Sequence, residues 1–146
     1  MPAELRARTN ETVWAAAREL ARLDQESSLV HGDFNKRNLL VQRIAGKWVV
    51  SGVLDWEFAI SGSPLCDVAN FLRYEYSERP LAEPHFSDGF LQAGGALPQD
   101  WRRLARLLDL TAVCESLTHD QLPGDVAAEL VEVVRATVEN RDLQLS

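Results

Sequence analysis

Residues 31–38 read His-Gly-Asp-Phe-Asn-Lys-Arg-Asn, and no other stretch restricts the fold as tightly. The run is too polar to be buried as a helix or strand. Short apolar segments close it off on both sides, Leu29-Val30 before it and Leu39-Leu40-Val41 after it. That is the pattern of a loop held at the end of extended chain. Further on, Ala45-Gly46 reads as a turn, and Trp48-Val49-Val50 and Gly52-Val53-Leu54 read as extended segments rich in β-branched residues. The loop therefore leads into a small hairpin that ends at Asp55.

Helical periods surround this block. Residues 4–24 carry Val13, Ala16, Ala17, Leu20 and Leu23 at three- and four-residue steps, with Trp14 extending that face. Ser61-Gly62-Ser63-Pro64 breaks the chain, and Ser63 as N-cap with Pro64 after it starts a helix to about residue 76. Residues 79–84 read as a loop, 85–92 as a short helix stopped by Gly94-Gly95, 98–119 as a long helix, and 123–140 as a last one. Val126, Leu130, Val133 and Val134 are expected inside the last helix, and Trp14, Trp48 and Trp101 are expected in the core. The order of helix, polar loop, small β element and more helices is that of a mostly helical α+β domain. At 146 residues, 1–146 is expected to be a single domain.

Composition narrows the function. Fifteen basic against 22 acidic side chains give a net charge of −7, which argues against a nucleic-acid partner. It is compatible with a cationic substrate, because negative clefts concentrate cations. No stretch approaches the ~18 apolar residues of a membrane span, and the first residues have no apolar core of a secretory signal. Cys66 and Cys114 fit no metal spacing and read as reduced thiols near a core. A cytoplasmic protein is expected.

The chemistry sits in three side chains. Asp33 and Asn38 lie five positions apart across the loop, and Asp55 follows about one hairpin later. Phosphoryl transfer needs a carboxylate to orient an acceptor hydroxyl and take its proton. It also needs oxygen ligands for Mg²⁺, which prefers one or two carboxylates with phosphate oxygens and water. One base and two metal ligands are what this set can supply.

Protein kinases carry His-Arg-Asp, four residues, then Asn, and later an Asp metal ligand. Here His31-Gly32-Asp33 is followed after the same gap by Asn38, then by Asp55-Trp56-Glu57, Gly62-Ser63-Pro64 and Asp67-Val68-Ala69. Over residues 29–72 the chain resembles the aminoglycoside phosphotransferase family of kinase-like small-molecule kinases, choline kinase-like enzymes included. The resemblance implies the C-terminal, catalytic lobe of a protein-kinase-like fold, with the hairpin beside the catalytic loop. It implies Asp33 as catalytic base, Asn38 and Asp55 as metal ligands, and His31 as a structural member of the loop. It implies that Asp67 ties the following helix back to that loop. ATP as cosubstrate, Mg²⁺, and a small-molecule hydroxyl acceptor come with it. The sequence departs from common family forms at Asn35, often His, and at Lys36-Arg37, often Pro-Gly. Lys36 and Arg37 either approach nucleotide phosphates or face solvent, and Glu57 either reaches a metal through water or faces solvent.

Kinases of this fold have an N-terminal lobe with a glycine-rich turn and a lysine over the phosphates. Residues 1–30 hold no glycine and no lysine, and the lysines of the chain are Lys36 and Lys47. The expectation is a chain without its ATP-gripping lobe, with three readings open. It is a fragment, it pairs with a separate N-terminal lobe, or it is a non-catalytic binding module on a kinase-like scaffold. Apolar surface left by a missing lobe would favour self-association. The acceptor, an aminoglycoside or another alcohol, is expected to be recognised by the helices after residue 76.

Overall fold

The computed structural model describes residues 1–77, 81–119 and 121–139. Helix α1 (Ala3–Leu23) opens with Glu4 and closes with Arg22, charges that suit the two ends of the helix dipole. It buries Leu5, Thr9, Ala16 and Leu23 along one face. A short strand β1 (Ser28–Val30) leads into the polar loop, which ends in a 3₁₀ turn over Lys36–Asn38. Strands β2 (Leu39–Ile44) and β3 (Lys47–Val53) follow as an antiparallel hairpin. Its tip places Ala45 and Gly46 both at positive φ, the pattern of a type I′ turn. A bulge at Leu40/Val41 leaves Ser51 unpaired, and its hydroxyl donates to Leu40 O at 3.3 Å.

After a 3₁₀ turn at Trp56–Phe58, strand β4 (Ile60–Gly62) returns to pair antiparallel with β1, Val30 opposite Ile60. This second two-stranded sheet was not expected from the sequence, because three residues are too few to show a period. It closes the whole segment between residues 28 and 62 into one β-walled loop. Four helices complete the described residues: α2 (Leu65–Phe71), α3 (His85–Gln92), α4 (Trp101–Ser116) and α5 (Gly124–Glu139). Helix α3 stops in a Schellman motif. Gly94 at φ 90° donates to Leu91 O, and the Gly95 amide donates to Phe90 O, both at 3.0 Å.

Helix α4 is the centre of the molecule, in contact with α1, α2 and α5. It is therefore apolar around more than one face. Leu110 and Val113 meet Leu5 of α1 and Leu130, Val133 and Val134 of α5. Trp101 and Leu104 meet Leu23 of α1 and Leu65 and Val68 of α2. Each such fully buried side chain stabilises the fold by about 1.5–3 kcal/mol relative to exposure.

Three expectations fail on packing. Trp14 is 78% exposed, because it lies a step round the helix from the Ala16 and Leu23 face. Trp48 is 71% exposed, on a hairpin that no further layer covers. Val126 is exposed in the first turn of α5, outside the cluster that begins at Leu130. The helix expected to run to about residue 76 ends at Phe71, and the chain continues in tighter turns, with Arg73 N donating to Asn70 O and Glu75 N to Leu72 O.

Candidate active site

The polar loop is held by hydrogen bonds between side chains and main-chain groups around a buried histidine. His31 is 1% exposed, and its two ring nitrogens both face backbone. Nε2 lies 2.7 Å from Leu54 O, and Nδ1 lies 3.2 Å from the Asp33 amide. The carbonyl needs a donor and the amide an acceptor, so the ring is the neutral Nε2–H tautomer. Trp56 covers it at 4.6 Å between ring centres.

Asp67, in the first turn of α2, accepts from two consecutive loop amides. His31 N donates to Oδ2 at 2.8 Å and Gly32 N to Oδ1 at 3.0 Å. Gly32 between them has φ 81°, and a Cβ there would lie 2.3 Å from Phe58 O. Both facts require glycine. They also give a local reason why the arginine of protein kinases is absent at this position.

These anchors fix Asp33. Asn38 Nδ2 donates to Asp33 Oδ2 at 3.0 Å and to Asp33 O at 2.9 Å. Asn35 Nδ2 donates to Asp33 Oδ1 and to Asp33 O, each at 3.0 Å. Asn35 Oδ1 in turn accepts from Arg37 N at 2.9 Å and so caps the 3₁₀ turn. Each carboxylate oxygen of Asp33 thus has one of these amide donors and keeps further lone-pair capacity. Asn38 has spent Nδ2 on Asp33, which leaves Oδ1 as the atom it can offer to a cation.

Asp55 stands one residue beyond Leu54, whose N–H donates to Asn38 O at 2.8 Å. It is exposed, makes no side-chain hydrogen bond or ion pair among the described residues, and adopts the left-handed region at φ 67°, ψ 62°. Held strain of this kind, on the order of 1–3 kcal/mol, concentrates at functional positions. The structure brings Asp33 and Asn38 into direct contact and places Asp55 beside them through Leu54. Among the described residues no group of three His, Cys, Asp or Glu side chains is gathered as for a metal. The Asn38 amide oxygen and the Asp55 carboxylate are hard oxygen donors, of the kind Mg²⁺ takes together with phosphate oxygens and water.

Asp33 opens onto a cleft of about 280 Å³. Its far wall is Asn70, Phe71, Arg73 and Tyr74 from the end of α2 and the turns after it. Nothing in the sequence pattern of 70–74 marks these residues as the wall of a cleft. Phe71 stacks on Phe86 of α3 at 4.5 Å and leans on Phe34 at 5.5 Å. Arg73 makes a buried ion pair with Asp109 of α4, Nη2 to Oδ1 at 2.7 Å. Burial opposes the charge on Arg73, but Asp109 outweighs it and holds the guanidinium above its ordinary value. Burial, together with the neighbouring Glu129 carboxylate of α5, pushes the Tyr74 phenol up to about 12.

A model of the phosphotransferase enzyme family APH matches residues 2–107, a span that contains every residue of this site. The chain belongs to that family. Curated proteins match over shorter stretches. A probable acyl-CoA dehydrogenase, IBR3, of Arabidopsis thaliana is 37% identical over 47% of this chain and 8% of its own length. Acyl-CoA dehydrogenase family member 11 of Homo sapiens is 32% identical over 51% of this chain and 9% of its own. The match thus spans less than a tenth of the length of these relatives. No solved structure matches the chain. No helix among the described residues is long and apolar enough to cross a membrane.

Proposed function

We propose that this APH chain is the catalytic lobe of an ATP- and Mg²⁺-dependent phosphotransferase acting on the hydroxyl of a small molecule. The phosphate-gripping lobe would be supplied by a segment outside these residues or by a second chain. The observation that carries the reading is the Asp33 carboxylate, braced by Asn35 and Asn38 on a loop pinned by Asp67 and open to a cleft.

Asp33 orients the acceptor hydroxyl and takes its proton as the oxygen attacks the γ-phosphorus and the bond to the ADP oxygen breaks. The two amide donors keep the carboxylate from turning away, so little reorganisation is needed at the moment of transfer. Asn38 Oδ1 and the Asp55 carboxylate would hold the metal. Bound there, Mg²⁺ would neutralise charge developing on the phosphoryl group. Gly32 and His31 act by keeping the loop in place, and Asp67 couples that loop to α2 and so to the core.

The test is phosphoryl transfer from labelled ATP to a panel of alcohols, with the phosphate-gripping lobe present. Asp33→Asn should lower the rate on the order of 10²–10⁴-fold, and an unchanged rate removes Asp33 from the role of base. Hydroxylated acyl-CoA thioesters belong in the panel beside aminoglycosides and choline, because the curated relatives are named as acyl-CoA dehydrogenases.

A further inference from the structure

We propose that the chain has a second small-molecule site, behind the wall of the Asp33 cleft, which takes a neutral compound with an apolar body and one hydroxyl. This stands or falls independently of the phosphotransferase reading.

The segment that walls the Asp33 cleft has two faces. Asn70, Phe71 and Tyr74 line that cleft, whereas Ala69, Leu72 and Tyr76 line a separate cavity of about 330 Å³. Arg73 lies between the two and borders both. Asp33 is not among the walls of the second cavity. Helices α4 and α5 close its far side with Trp101, Ala105, Asp109, Ala136 and Thr137. Alanines from three helices, Ala69, Ala105 and Ala136, border the same space, and larger side chains there would fill it. The volume falls at the lower end of the range for small-ligand pockets, which begins near about 300 Å³.

Thr137 is what points to a ligand. A threonine inside a helix commonly returns its hydroxyl to a carbonyl one turn back. Thr9, Thr12 and Thr111 do so, donating to Leu5 O, Arg8 O and Leu108 O at 2.7, 2.9 and 2.7 Å. Thr137 is 9% exposed and lines the cavity, yet its hydroxyl has no hydrogen-bond partner among the described residues. Nor is that oxygen sealed in the core, because the fully enclosed side-chain atom without a partner is Arg103 Nε. The hydroxyl of Thr137 therefore opens onto the cavity. It can donate one hydrogen bond and accept others, and an alcohol can do the same in return.

The charge around the cavity is balanced. Arg73 is paired with Asp109 and Arg102 with Glu83, and the remaining Arg106 and Glu75 are of opposite sign. Neither sign of ligand charge is favoured, and a charged group would lose its hydration without a free partner. Binding must come from apolar contact with Leu72, Leu81 and Trp101 and from the Thr137 hydroxyl.

The full chain, labelled for amide NMR, is titrated with benzyl alcohol, with toluene as its hydrocarbon counterpart, and with benzoate and benzylammonium as charged counterparts. Benzyl alcohol should move the amide signals of Leu72, Ala105, Ala136 and Thr137 and the Trp101 indole saturably, and bind more tightly than either charged probe. Thr137→Val should weaken benzyl alcohol about three- to tenfold and leave toluene unweakened. The same replacement should not lower the melting temperature, because no internal hydrogen bond is lost. Ala136→Leu should fill the cavity and abolish binding of both compounds. If that variant does not fold, the Thr137→Val comparison decides alone.

The inference is overturned if the probes move none of these signals up to their solubility limits, or move those of Asn35 and Asn38 instead. It is also overturned if a charged probe binds more tightly than benzyl alcohol, or if folded Ala136→Leu binds as the parent does. Equal effects of Thr137→Val on alcohol and hydrocarbon, or a melting temperature lowered by that change, would remove the hydroxyl from the site and the proposal with it.

Discussion

The two oxygens of Asp67 each hold one loop amide, at 2.8 and 3.0 Å. An asparagine at this position could accept only one of them and would turn an N–H against the other. Asp67→Asn should therefore destabilise the protein by about 1.5–3 kcal/mol, the range for hydrogen bonds to a charged group. Urea unfolding measures this, and amide exchange should show the His31 and Gly32 protons losing protection first. A variant as stable as the parent, with both amides still protected, would mean that the loop has another anchor. Gly32 is fixed for a different reason: the approach of Phe58 O forbids any side chain. The identity of this glycine was legible in the motif, whereas its cause was not, because Phe58 lies 26 positions away and carries no pattern that points back.

At the scale of elements, the long helices were legible because each presents an apolar face at helical period over several turns. Helix α3 matches its expected span of residues 85–92. Strands β1 and β4 were not legible, and neither was the early end of α2. That end has consequences, since the tightened turns after Phe71 bring Arg73 to α4 and Tyr74 to α5. Tyr74 has a folded-state value of about 12 against an ordinary 10.0. Its stabilising contribution is thus fully present below pH 10 and is lost as pH rises through about 12. Tyr74→Phe should remove that component, so the stability of the parent should fall more steeply than that of the variant across this window. Tyr76 and the two cysteines also shift upward, but they are common to both proteins and cancel in the comparison. Parallel slopes in denaturant titrations across the window would show that the fold does not hold the Tyr74 phenol in its protonated form.

Across the whole molecule, apolar surface is distributed unevenly. Leu29, Val41, Trp48, Val50, Phe58 and Ile60 are all more than half exposed, and all lie on or beside the two small sheets. The helical side holds both core clusters. Exposed apolar patches mark contact surfaces, and the open edges of β2 and β3 offer unpaired backbone as well. The chain should therefore associate as its concentration rises, and Trp48→Lys should weaken this. Light scattering tests it, and a strictly monomeric species at high concentration would count against it. Asp33, Asn38 and Asp67 were readable in the sequence as members of one motif, and the structure brings them together at one loop. The wiring of that loop was not readable, because much of it runs through the main chain. Leu54 donates its N–H to Asn38 O and accepts from His31 Nε2, so one peptide stretch connects the Asp33–Asn38 loop, the strand end before Asp55 and His31. Among side-chain replacements only proline deletes one of these atoms, the N–H. A mutational scan would score position 54 as permissive while the geometry it enforces stays invariant, and drift at 35–37 could accumulate around a node that selection cannot see.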